Sequence, residues 1–168
     1  MPSAFEFAQQ QFKDALGAAE AQKNRVDADL RNLKTRALVL KGIAVFGGLL
    51  ITSGFLSAAN QVIGFIISVA VAFDAFVSNH KLTMSRANAS TAYRRLLELT
   101  ASEHTDALQP ALPYATSDPS RFEAEMVPKL GELRKRVENV STQIRDALDK
   151  ADYDALQALA IESKPTPP

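Results

Sequence analysis

The sequence predicts an all-α membrane protein: a two-helix transmembrane hairpin extended by cytoplasmic coiled-coil-like helices. Three observations lead there. No charged residue occurs from Gly42 through Phe73, a run of 32 residues, while charges are dense on either side. A short break of small and polar residues, Ser57-Ala58-Ala59-Asn60, divides that run. Outside it, apolar residues recur at steps of three and four, the period of a helix that buries one face.

The first span is expected over residues 37–57, which at about 1.5 Å per residue reaches roughly 31 Å, the thickness of a bilayer core. Lys41 interrupts it one turn from its start, where a long amine can snorkel to the interface. The second span is expected over residues 61–78, roughly 27 Å long. Its charged residue, Asp74, lies near the far end. A cleaved signal peptide fits poorly, because 36 residues, many of them charged, precede the apolar run and a second run follows it. A hairpin buried in a soluble bundle fits poorly too. The flanking apolar surface is too small to wrap two adjacent all-apolar helices.

Basic residues near the span ends set the orientation. Arg31, Lys34, Arg36 and Lys41 precede or open the first span, and Lys81, Arg86, Arg94 and Arg95 follow the second, whereas residues 57–61 carry none. Both flanks are therefore expected at the inner interface with cytoplasmic termini, and the turn on the outer face.

The N-terminal arm, residues 3–36, reads as helix. Val26, Leu30, Leu33, Ala37 and Leu40 follow coiled-coil spacing straight toward the membrane, below a looser stripe of Phe5, Ala8, Phe12, Leu16 and Ala19. With no proline or glycine near Arg36, arm and span are expected to form one helix. Residues 81–103 read as a cytoplasmic continuation of the second span, striped by Leu82, Ser85, Ala89, Ala92, Leu96 and Leu99. Pro110, Pro113 and Pro119 then mark residues 104–118 as a loop. Asp118 before Pro119 is a helix start, with a capping carboxylate followed by proline in the first turn. A C-terminal helix is expected over 119–162, striped by Leu133, Val137, Val140, Ile144 and Leu148, with Pro128 and Gly131 kinking its start. Residues 163–168 have the composition of a disordered tail. The stripes on the soluble segments predict that these pack together beneath the membrane.

Catalytic chemistry finds no foothold, and the chain is not expected to be an enzyme. It has no cysteine, which removes disulfides, thiolate metal sites and cysteine nucleophiles. Nineteen basic residues balance nineteen acidic ones, so nothing argues for nucleic acid as a partner. His80 and His104 lack metal-ligand spacing, and no metal or cofactor is expected. Gly47-Gly48 lie inside an apolar helix, not in a phosphate-cradling loop after a strand. Asp146, Asp149 and Asp154 read as a solvated face, and Tyr93-Arg94-Arg95 as part of the juxtamembrane basic signal.

The informative pattern lies within the spans. Lipid gives no hydrophobic drive between helices, which associate where small residues let backbones approach. Ala44, Gly48 and Thr52 recur every four residues in the first span, and Gly64, Ser68 and Ala72 in the second. In an antiparallel hairpin, facing residue numbers share a constant sum. These six give 116 at each of three levels, which centres the turn on Ala58, where the polar break falls. The same register brings Lys41 and Asp74 to nearby levels. They are expected to pair near the inner interface, reducing each other's desolvation cost, or else Asp74 serves an ion path.

A charged helix, two spans joined by "SAAN", and a polar helix "SNHKLTMSRANASTAYRRLLEL" together resemble the SLATT group of two-transmembrane effectors associated with bacterial nucleotide-signalling conflict systems. The resemblance covers roughly residues 10 to 160 and is one of architecture. It implies an effector that forms or opens a pore in the inner membrane once a sensor or nucleotide-signalling partner protein detects infection. The bilayer and further copies of the chain are the other expected partners. Two other readings compete: a membrane-anchored helical scaffold, and a soluble helical toxin with a hidden hydrophobic hairpin.

Overall fold

Ser3 and Glu6 open the first helix by capping one another. The Ser3 hydroxyl accepts from the Glu6 amide at 3.1 Å, and a Glu6 carboxylate oxygen accepts from the Ser3 amide at 2.9 Å. This reciprocal box satisfies amides that a helix start otherwise leaves unpaired. In the computed structural model, which describes residues 3–52, 64, 66–67, 69–71, 80–150 and 153–162, the helix so opened is α1, Ala4–Thr52. It runs past Arg36 into the apolar segment without a break. α2 spans His80–Ala111, a short α3 Tyr114–Ser117, α4 Pro119–Asp149 and α5 Tyr153–Glu162. The described residues between α1 and α2 (64, 66–67 and 69–71) are helical too, and the described residues contain no strand.

The long helices pack by the coiled-coil stripes visible in the sequence. α1 buries Phe12, Ala19 and Val26, one every seven residues, and α4 buries Met126, Leu130, Leu133, Val137, Ile144 and Ala147. Such spacing keeps one face of each helix toward its neighbours. Phe12 packs with Leu130 and Leu133, Ala19 with Leu96 and Val137, and Val26 with Ala89, Ala92, Tyr93 and Ile144. Thus α1 and α4 run parallel, and α2 runs antiparallel to both. Fully burying each large apolar side chain contributes about 1.5–3 kcal/mol.

The structure corrects two boundaries. The segment 104–118, expected as a loop after a helix ending near Ser102, is helical through Ala111. Pro110 removes one hydrogen bond in the last turn, yet Leu112 still donates to the Leu108 carbonyl at 3.0 Å. Packing compensates: His104 stacks on Phe12 at 5.3 Å, Ala111 is fully buried, and Arg136 donates to both Glu103 oxygens at 2.5 and 2.7 Å. Regular helix is interrupted at Leu112 and Pro113 and again at Asp118, where a following proline disfavours the helical conformation of Leu112 and Asp118.

The expected single helix over 119–162 is two helices. α4 starts as Asp118 and Pro119 predict, with the Asp118 side chain accepting from the Arg121 amide at 3.1 Å. It continues through Pro128 and Gly131 as helix and ends at Asp149. α5 then folds back, burying Leu156 and Ala160 beside Ala89, Ala92, Ile144 and Ala147. A straight helix would have carried those two apolar side chains past the end of the core. The run Asp146 to Asp154, read as a solvated face, holds the break. Its aspartates compete for backbone hydrogen bonds and so weaken a helix interior.

The transmembrane part of the expected hairpin is described only in part. Residues 53–63, 65, 68 and 72–79 lie outside the described residues, and with them the turn, Ser68, Ala72 and Asp74. Among the described residues, no helix is long and apolar enough to cross a membrane.

Candidate functional site

The apolar core stops at the level of Val26 and Ala89, with the buried Ser85 one turn beyond. Beyond it α1 and α2 continue as a neck of two helices. Leu30, Leu33 and Leu82, which continue the stripes of the core, are only half-buried there, because α4 and α5 end below.

A polar layer fixes the neck to the bundle. Ser90 donates to one Asp27 carboxylate oxygen at 2.5 Å, and Lys23 donates to the other at 3.0 Å. The Ser90 hydrogen bond holds the Asp27 carboxyl below the usual carboxylate range, against the raising effect of burial. One turn outward, Arg86 Nε stands 3.7 Å from Asp29. The sequence reading missed Asp27 and Ser90. The signal was present as a polar residue directly beside Val26, at the edge of the stripe, where a polar group meets the facing helix.

Past the neck, large apolar side chains stand uncovered. On α1, Leu38 is 73% exposed, Val45 65% and Phe46 67%, with Val39 and Ile43 also exposed. At 100° per residue these five spread over about 160° of the helix, too wide for a single buried stripe. On the returning arm, Ile66, Val69 and Val71 are exposed as well.

Of the six expected seam positions, Ala44, Gly48 and Thr52 lie on α1 but their surroundings fall outside the described residues, as do Ser68 and Ala72 altogether. Gly64 is half-buried, and a Cβ there would meet no atom within 4 Å. Lys41 is exposed, while its expected partner Asp74 lies outside the described residues.

The expected interfacial basic residues separate into two groups. Arg31, Lys34 and Arg36 are exposed on the α1 side of the neck, and Lys81 opens its α2 side. Arg86 is tied to Asp29. Arg94 and Arg95 lie farther off, about 21 Å along the axis from His80. At that level α2 is packed in the core through Tyr93, and Arg94 Nε pairs with Glu98 at 2.8 Å, which raises its already high pKa. They belong to the bundle, not to the neck. The sequence could not separate the two groups, because charge counts carry no depth.

A second feature lies lower. Between α1 and α4 is a polar groove of about 440 Å³, lined among others by Gln11, Ala15, Tyr93, Arg134, Ser141 and Arg145. Tyr93 donates to the Ser141 carbonyl at 3.2 Å, and burial raises its pKa. Arg134 donates to Gln11. Asp14 and Glu138 on the rim offset the two guanidinium charges. The groove holds no nucleophile paired with a base, and among the described residues no cluster of His, Cys, Asp or Glu could hold a metal ion. His104 is occupied in its stack on Phe12.

Compared with protein-family models, curated proteins and solved structures, the chain finds no match.

Proposed function

We propose that this protein is a membrane-embedded effector whose helical hairpin crosses the inner membrane, self-associates and permeabilises it. One observation carries the reading: the uncovered apolar side chains of both arms beyond the neck, Leu38, Val45 and Phe46 on one and Ile66, Val69 and Val71 on the other. Left in water, each forfeits part of the about 1.5–3 kcal/mol that full burial gives, which hydrocarbon would return. With the apolar sequence between them, these side chains suit a bilayer as solvent. The bundle then hangs on the cytoplasmic side, held by the neck. The architecture that resembles the two-transmembrane effectors supports permeabilisation as the outcome, with a sensor or nucleotide-signalling partner as trigger. Small residues at four-residue spacing in both arms supply surfaces for span association.

Reconstitution into dye-loaded vesicles tests this. Leakage is expected to rise more steeply than linearly with the protein-to-lipid ratio, as self-association requires. Stable insertion without leakage of dye or ions at any ratio would sink the effector reading. It would leave a membrane-anchored scaffold, a role the groove between α1 and α4 suits.

A further inference from the structure

The balanced net charge conceals a strong separation along the molecule. Residues 30–41 and 80–86, the neck and the start of the apolar arm, carry six basic residues and no acidic one. Residues 3–29 and 87–162 carry twelve basic against eighteen acidic. Ion pairing follows the same division. In the bundle Lys23 pairs with Asp27, Arg94 with Glu98, Arg121 with Glu125, Arg134 with Glu138 and Arg136 with Glu103. At the neck Arg86 reaches back to Asp29, and Arg31 acts on Asp27 at longer range, but no described acidic group stands within 4.0 Å of the exposed Arg31, Lys34 or Arg36.

Geometry places these three where a headgroup layer would be. Arg31 to Arg36 covers about 7.5 Å of helix axis directly below the apolar segment. A polar headgroup layer is itself about 5–8 Å deep on each side of the hydrocarbon. Arg31 and Lys34 share one side of α1, and Arg36 points to another, so the charges form a collar instead of a stripe. Guanidinium groups match phosphate oxygens with paired N–H donors, and the ammonium adds a point charge.

We infer that Arg31, Lys34 and Arg36 form a collar that recognises the phosphate of anionic phospholipids, and that the acidic bundle below is repelled by the same surface. The inference rests on the proposed membrane insertion. Attraction at one end and repulsion at the other would hold the bundle upright on the membrane, away from the headgroups. The collar lies within one Debye length of the surface at about 0.1 M salt, roughly 10 Å, and most of the bundle lies beyond it.

The test uses the full chain in phosphatidylcholine vesicles doped with spin-labelled phosphatidylglycerol or spin-labelled phosphatidylcholine. The immobilised fraction of each label reports lipid beside the protein. Wild type should favour the anionic label about threefold or more at low salt, falling toward equality near 0.5 M. Arg31→Gln/Lys34→Gln/Arg36→Gln should abolish the preference. Lys13→Gln/Lys129→Gln/Lys135→Gln removes the same charge from exposed bundle positions and should keep it. Inorganic phosphate at matched ionic strength should not compete. If it displaces the lipid, the collar is a site for a soluble anion and the proposal fails. Alkaline carbonate extraction of the same vesicles separates the two ideas. Protein that resists carbonate but shows equal label fractions overturns the collar alone. Protein released by carbonate yet selective for the anionic label keeps the collar and overturns the hairpin. Release without selectivity overturns both.

Discussion

Ser90 donates a hydrogen bond to Asp27 across 63 residues of sequence, and this pair gives the register of α2 against α1. The Asp29–Arg86 pair and the Phe12–His104 stack keep the same register. In all three, the paired residue numbers sum to within one of 116. The small-residue pattern in the apolar segments has that constant as well. The described parts of α1 and α2 thus keep the register that the small-residue pattern predicts.

Asp27 should make stability pH-dependent. Its carboxyl is depressed below 3.8 first by Ser90 and then by Lys23, so its contribution is present above that value. It is lost as pH falls through the depressed folded value. Ser90→Ala should therefore cost about 1.5–3 kcal/mol at pH 7, the scale of a hydrogen bond to a charged group, and less at pH 3, below the unfolded value. Thermal unfolding in detergent at the two pH values checks this. A cost that does not change with pH would mean that the hydroxyl serves packing alone.

Tyr93 should act in the opposite sense. Burial raises its pKa above 10.0, so the unfolded chain ionises first. Its stabilisation is complete below pH 10.0 and falls away as pH rises toward the raised folded value. Tyr93→Phe keeps the ring and loses the bond to the Ser141 carbonyl, costing about 0.5–1.5 kcal/mol. Tyr93→Ala should cost about 3–5 kcal/mol through the cavity. Similar costs for the two variants, read from denaturation midpoints, would show that the ring is not part of the core.

Leu156 should hold α5 against the bundle. It is fully buried, and Leu156→Ala should cost about 2–5 kcal/mol. Limited trypsin digestion gives a local readout, since freeing α5 should speed cleavage after Lys150. Unchanged cleavage with unchanged stability would place α5 elsewhere than against Ala89 and Ile144.

The heptad faces were legible from spacing alone: Phe12, Ala19, Val26, Leu133, Val137 and Ile144 are all buried. So was the start of α4 at Asp118, where capping chemistry is local. What spacing could not give was tertiary override. Pro110 reads as a helix breaker until His104 and Glu103 are seen held by Phe12 and Arg136. The fold-back of α5 depends on Leu156 finding space beside Ala89 and Ala92, which no local signal encodes. The basic residues divided the same way, Arg31 from Arg94, because depth along a bundle is a property of packing.

Register can be tested by crosslinking, because the chain has no native cysteine. Cysteines at Leu33 and Leu82 should form an intramolecular disulfide in the neck, and cysteines at Gly48 and Ser68 should do so in the apolar arms. Gly48→Leu should disturb that close approach, at a cost of about 1–3 kcal/mol, while Leu49→Ile stays nearly silent. A neck crosslink without the Gly48–Ser68 crosslink, together with a harmless Gly48→Leu, would mean that the arms leave this register above the neck.

Topology decides the central claim most directly. A single cysteine at Ala59, in the turn expected from the sequence, and another at Ala21, exposed on the bundle, can be offered a membrane-impermeant thiol reagent on intact cells. The account predicts labelling of the Ala59→Cys protein from outside and protection of the Ala21→Cys protein until the cells are lysed. Equal labelling of both before lysis, or of neither until lysis, would contradict a hairpin that crosses the membrane with its bundle on the cytoplasmic side.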